Sequence, residues 1–223
     1  MLDPFCGCGT AVHAAQRLNR RWVGIDVTHL AISLVERRLR DAFGEALPFE
    51  VLGTLRDLAA ARDLAARDKY QFQWWAVSLL DAVPQGGKKK GADGGVDGVR
   101  WVKTGPQPGD LDRILVSVKG GALKLDDVRA LGNVVDTQGA LAGVLVSLHE
   151  PTRPMREWAA SQGFVSTGLG QVRKIMLKTV DQLMRGIHDD AERLPPVGRQ
   201  EGFRRAAREG RDGKGAGQAA LDV

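Results

Sequence analysis

VDGVRWVK (96–103), TGPQPGDLD (104–112) and RILVSVK (113–119) form the continuous stretch that decides how the larger part of this chain folds. The outer pieces are short and rich in Val, Ile and Leu. The middle supplies Pro106, Pro108, Gly105, Gly109, Asp110 and Asp112. Apolar runs separated by turn-forming residues predict two strands, Val96–Lys103 and Arg113–Lys119, joined as a long hairpin. Residues two apart on a strand share a face. Ser117 and Lys119 are therefore expected to point together, with Ile114, Val116 and Val118 turned into the core. Asp97 begins the first strand and Lys119 ends the second.

Working outward, QGGKKKGADGG (85–95) before the hairpin reads as a basic, turn-rich loop. After it, 126–138 predicts an amphipathic helix stopped by Gly139. AGVLVSL (142–148) predicts a buried strand of the kind found in parallel sheets. A helix over 154–162 ends at Gly163, a strand over 174–178 follows, and Thr179 with Gln182 forms a capping box for a last short helix. Upstream, TLRDLAAARDLAARD (54–68) predicts one helix by propensity, and 70–83 a second by its apolar spacing. Residues 1–43 read as loop, helix, strand, helix. Beyond 189 the composition turns basic and Gly-rich, as expected of a disordered tail.

Composition sets the outer limits. The chain has 223 residues, of which 43% are hydrophobic and 26% charged, and this is the balance of a soluble globular protein of one or two domains. No apolar run approaches the roughly 18 residues of a membrane helix. The two cysteines, Cys6 and Cys8, lie in one Gly-rich loop, a spacing suited neither to a structural disulfide nor to a metal site, and point to a reducing cytoplasm. A net charge of +5 favours an anionic partner. His13, His29, His149 and His188 show no ligand spacing.

The opening DPFCGCGT (3–10) sets Gly7 and Gly9 in a turn before a helix, and Asp26 closes RWVGID (21–26). Glycines let backbone approach a nucleotide-like ligand, and an acid at the end of the next strand suits ribose hydroxyls. This string resembles the S-adenosylmethionine-binding motif of the permuted amino-group (N4/N6) DNA methyltransferases, over about residues 2–43. The resemblance implies an incomplete Rossmann-like piece in which Phe5, Gly7, Gly9 and Thr10 line the methionine and purine sides of the cofactor and Asp26 its ribose. Such enzymes hold the extruded base with an Asp/Asn/Ser-Pro-Pro-aromatic tetrapeptide. Here the only Pro-Pro is Pro195-Pro196, so methyl transfer is not expected unaided. S-adenosylmethionine would be used only where a methyltransferase chain or a preceding segment completes the domain.

Cleavage of a phosphodiester with a metal ion needs carboxylates to hold Mg²⁺ and a lysine beside the attacking water. GADGGVDG (91–98) and ILVSVKGG (114–121) resemble the Mrr-type restriction endonucleases of the PD-(D/E)xK superfamily, and the likeness extends over about 68–186. It implies a restriction-endonuclease-like α/β domain with a central mixed sheet. Asp97 is then the metal-binding acid, Lys119 the catalytic lysine, and Ser117 stands where the superfamily has Glu or Gln. The metal would rely on Asp97, the Val118 carbonyl and waters, helped by Asp93. Lys88, Lys89 and Lys90 read either as a solvated loop or as contacts to DNA phosphates.

Four segments follow: a methyltransferase piece (1–43), a linker helix region (44–68), an endonuclease-like domain (69–188) and a basic tail (189–223). The expected function is Mg²⁺-dependent cleavage of double-stranded DNA by a restriction–modification polypeptide, with a homodimer possible. The alternatives are a non-catalytic DNA-binding module and a fragment that completes a DNA methyltransferase.

Overall fold

The computed structural model describes residues 1–55, 57–85, 95–107, 109–187 and 193–198. The chain divides into two compact units, one containing Met1–Val27 and Ala31–Glu50, the other running from Val51. Asp93 and Lys88–Lys90 lie outside the described residues, as does the tail beyond 198.

In the first unit, β1 (Leu2–Asp3) pairs in parallel with β2 (Val23–Gly24), with Leu2 opposite Val23 and Asp3 opposite Gly24. Helices α1 (Thr10–Arg17) and α2 (His29–Phe43) supply most of its small core. Val12, Val35 and Leu39 pack there with Cys6, and Trp22, Phe43 and Phe49 close its edges. Gly24 is required by this packing, because a Cβ there would lie 2.9 Å from Val12 and 3.3 Å from the Cys6 sulfur.

The second unit is built on a five-stranded mixed sheet whose strands lie in the order β3 (Val83–Pro84), β4 (Gly98–Lys103), β5 (Leu111–Lys119), β6 (Ala142–Ser147) and β9 (Ile175–Thr179). The anticipated hairpin is its antiparallel part, with β4 (Gly98–Lys103) against β5 (Leu111–Lys119) and the two-residue β3 (Val83–Pro84) beside β4. From β5 the chain crosses through α5 (Leu125–Gln138) to the parallel β6 (Ala142–Ser147), all of whose residues are buried. Gly139, in the left-handed region at φ 60°, ends α5. A second crossover, through α6 (Arg153–Ser161) and the hairpin β7 (Phe164–Thr167) and β8 (Gly170–Arg173), reaches β9 (Ile175–Thr179). Thr179 and Gln182 then bond reciprocally, at 2.9 and 3.1 Å, to start α7 (Val180–Met184).

Parallel strands must be covered on both faces, and here they are. Ile114, Val116, Val118, Val144 and Met176 pack with α3 (Leu58–Arg67) and α4 (Lys69–Ser78). Leu115, Leu145, Ile175 and Leu177 pack with α5 and α6. Residues 58–67, read from sequence as part of a linker region, thus contribute Ala61, Leu64 and Ala65 to the core. The helix expected over 70–83 stops at Ser78, because Val83 is drawn into the sheet opposite Val99.

Gly98 sits where this sheet meets α4. A Cβ there would lie 2.5 Å from a methyl of Val77 and 3.1 Å from the Val83 carbonyl oxygen. Val77 is fully buried and β-branched, so it has little room to turn aside. Gly98→Ala is expected to lower stability by about 1–3 kcal/mol, read as a shift of the urea midpoint; an unchanged midpoint would show that the contact relaxes freely.

Candidate functional site

Asp97 and Lys119 lie near enough for their charges to interact, and Ser117 shares a side of β5 with Lys119, the side of Leu115 that is covered by α5 and α6. Asp97 continues β4: its N–H donates to the Val116 carbonyl at 2.8 Å, and its own carbonyl accepts from Gln85 at 2.9 Å. Its carboxylate then reaches across the strand pair and accepts the Val118 N–H at 2.7 Å. Burial raises the Asp97 pKa, opposed by the Val118 hydrogen bond and by the charge of Lys119. The Val118 side chain belongs to the opposite face.

Ser117 departs from the expectation of an open polar face. It is only 4% exposed and stands in register with Leu145, on the same side as the fully buried Leu115. The reason is the crossover: α5 lies over this face, so both sides of β5 become core.

Lys119 is spoken for. Its ammonium lies 3.0 Å from Asp127, in the first turn of α5, with the two side chains 34% and 23% exposed. Asp127 also accepts the Lys124 backbone N–H at 2.8 Å, which fastens the start of the helix. Burial pushes the Asp127 pKa up, but the hydrogen bonds from Lys119 and Lys124, with their charges, outweigh it and hold the group low. Sequence reasoning missed Asp127, and its one local signal was an acid in a helix first turn, which marks a cap far more often than a site.

Asp97 and Asp127 therefore act oppositely on stability. The raised pKa of Asp97 means that the buried charge costs stability at neutral pH, a cost relieved as pH falls through the folded pKa. The lowered pKa of Asp127 means that its contribution is present above the unfolded value near 3.8 and lost as pH falls through the folded one. Asp97→Asn, whose amide oxygen can still accept from Val118, is expected to raise the thermal midpoint at pH 7 and to give no gain at pH 3. Destabilisation at pH 7 would show that the charge itself is favourable there.

Among the described residues, the expected set offers Mg²⁺ a single side-chain carboxylate, that of Asp97, and Asp93 lies outside them. A magnesium ion takes hard oxygen ligands from carboxylates, whereas one Asp97 oxygen holds Val118, Asp127 holds Lys119, and Ser117 is neutral and sealed. Among the described residues no three His, Cys, Asp or Glu side chains gather as a metal-binding group.

In the first unit, Gly7 and Asp26 are brought together, the Gly7 N–H donating to the Asp26 carboxylate at 3.0 Å. The loop is pinned by Cys6 N–H on the Ile25 carbonyl and Gly9 N–H on the Cys6 carbonyl. Gly7 adopts φ 49° with open space where a Cβ would be. Gly9, at φ 75°, is instead a packing residue: a Cβ would come within 2.7 Å of Val35. The Thr10 hydroxyl accepts from Arg38 at 3.1 Å, and Phe5 stands 83% exposed.

Comparison with known proteins divides the chain in the same way. Residues 85–185 match the family model described as NACHT-associated inactive Restriction Endonuclease 1, and residues 1–37 match that described as DNA methylase. The type II methyltransferase M.EcaI of Enterobacter cloacae is 46% identical over 46 residues, which are 21% of this chain and 10% of that protein. No solved structure matches. The first unit is thus similar to part of a DNA methylase, and the second to a restriction-endonuclease-like domain. Among the described residues no helix is long and apolar enough to cross a membrane.

Proposed function

We propose that the second unit is a restriction-endonuclease-fold module that binds double-stranded DNA without cutting it. The observation that carries this reading is the state of the three positions at which a nuclease of this fold would work. Asp97 is turned onto a backbone N–H, Lys119 is paired with Asp127, and a sealed serine replaces an acid. A cation engaged by a neighbouring carboxylate is poorly placed to stabilise charge developing on a phosphate. The family description, which includes the word inactive, agrees with this. The match to a DNA methylase over residues 1–37 and the +5 charge of the whole chain favour DNA as the partner.

The test is nicking of supercoiled plasmid, methylated and unmethylated, across Mg²⁺ and Mn²⁺ concentrations, beside duplex binding followed by fluorescence anisotropy at several salt concentrations. The expected result is no nicking, with affinity falling as salt rises. Replacing Lys88, Lys89 and Lys90 by Ala should flatten the slope of log K against log[salt] by about 0.9 per lost phosphate contact. Nicking that disappears in Asp97→Asn would establish the metal-dependent nuclease instead. Absence of salt-sensitive binding would remove DNA as the partner.

A further inference from the structure

At the end of the second unit's sheet away from Asp97 and Lys119, the turn of the β4–β5 hairpin meets the turn of the β7–β8 hairpin. Two glycines let the turns approach. A Cβ on Gly168 would lie 3.1 Å from the Thr104 carbonyl oxygen and 3.2 Å from the Gly105 Cα, and a Cβ on Gly105 would collide with the Asp110 carboxylate. Between the turns lies a cleft of about 430 Å³, a volume within the roughly 300–1,000 Å³ of small-molecule sites. Part of its lining is apolar: Pro106, the buried Leu141, and Val165 packed against the same core. Thr104 and Ser166 add hydroxyls. Its charged lining is Asp110 and Asp112, with no cation among the lining residues. One Asp110 oxygen accepts the Gln107 N–H at 2.9 Å and one Asp112 oxygen the Arg113 N–H at 2.7 Å, and neither carboxylate forms an ion pair among the described residues. The guanidinium of Arg113, next along the strand, is turned to the Gln138 carbonyl at 2.7 Å.

We propose that this cleft binds an organic cation, a guanidinium or ammonium head carried on an aliphatic stem. Asp110 and Asp112 hold the head through charge-assisted hydrogen bonds, which are the stronger kind. The stem lies along Pro106, Leu141 and Val165, as the stems of long cationic side chains lie along apolar surface. Two carboxylates with no cation beside them in the lining turn away ligands bearing phosphate or carboxylate. The apolar part of the lining favours a stem over a metal ion, which takes oxygen ligands on every side. The assignment does not depend on the DNA reading, because a negative cleft repels a phosphate backbone and is therefore separate from any duplex-binding surface.

The experiment is calorimetric titration of the full chain with agmatine, which carries a guanidinium and an ammonium on a short aliphatic stem, beside butanol as a neutral counterpart and sodium chloride at matched ionic strength. The expected result is saturable binding of agmatine and none of butanol. Asp110→Asn with Asp112→Asn keeps the shape and removes the charge, and should weaken agmatine by about tenfold or more. The melting transition shows whether that variant remains folded, and Asp112→Asn alone is read in the same way if the pair does not. Absence of agmatine binding overturns the proposal, as does binding that the substitutions leave unchanged, that butanol reproduces, or that matched sodium chloride abolishes. A capped Gly-Arg-Gly peptide distinguishes the source of the cation: tighter binding than agmatine assigns the head to a side chain of a partner protein, and weaker binding to a free amine or guanidine.

Discussion

Ser117→Glu is expected to cost about 3–5 kcal/mol of stability at pH 7, because it forces a larger, charged side chain into a sealed, apolar site. Ser117 lies two residues from the end of β5, in register with Leu145 and on the face covered by α5. The cation on the same face, Lys119, is held by Asp127. A carboxylate introduced there would meet the partly buried charge of Asp97 without a partner of its own. The loss should shrink at pH 4 as the new group takes up a proton, and urea denaturation at the two pH values measures both quantities. The same variant bears on function. Were the site a nuclease centre short of one ligand, Glu at 117 would create a Mg²⁺-dependent rise in the thermal midpoint. The expected result is no such rise and no nicking.

The second large effect is at Arg100. This side chain is 10% exposed and ties together pieces far apart in the sequence. It donates to the Leu80 carbonyl, donates to the Pro195 carbonyl at 3.2 Å, and lies 3.5 Å from the Asp81 carboxylate. Beside it the 193–198 segment runs along β4 as an added edge: Lys103 N–H donates to the Pro196 carbonyl, Gly198 N–H to that of Trp101, and Val197 bridges Val102. Arg100→Met keeps the apolar stem and leaves two buried carbonyls without their donor, an expected loss of about 2–4 kcal/mol. The N–H groups of Lys103 and Gly198 should lose protection against hydrogen exchange well before those of β5 and β6. Uniform loss across the sheet would mean that Arg100 supports the whole unit and not the edge.

What could be read from the sequence was what short-range chemistry writes. The hairpin was legible because branched residues flank a stretch of Pro, Gly and Asp. The end of α5 was legible because Gly139 suits a left-handed cap, and α7 because Thr179 and Gln182 satisfy each other's backbone across one turn. The apolar run of β6 announced a strand buried on both sides. The nearness of Asp97, Ser117 and Lys119 also followed from strand pairing and alternation, since both properties are local to the hairpin.

What only the tertiary structure decided depended on partners distant along the chain. The half-exposed β7–β8 hairpin has too weak an alternation to declare itself. Val83 left its helix for a place opposite Val99, and Pro195–Gly198 became a sheet edge through contacts nearly a hundred residues back. The chemical state of the site belongs here too. Alternation places Ser117 and Lys119 on one face, but whether that face is open depends on where the crossover helix comes to rest. Once α5 lies over it, Ser117 becomes core and Asp127 captures Lys119, because burial and ion pairing are properties of what packs above a residue and not of its neighbours in the chain.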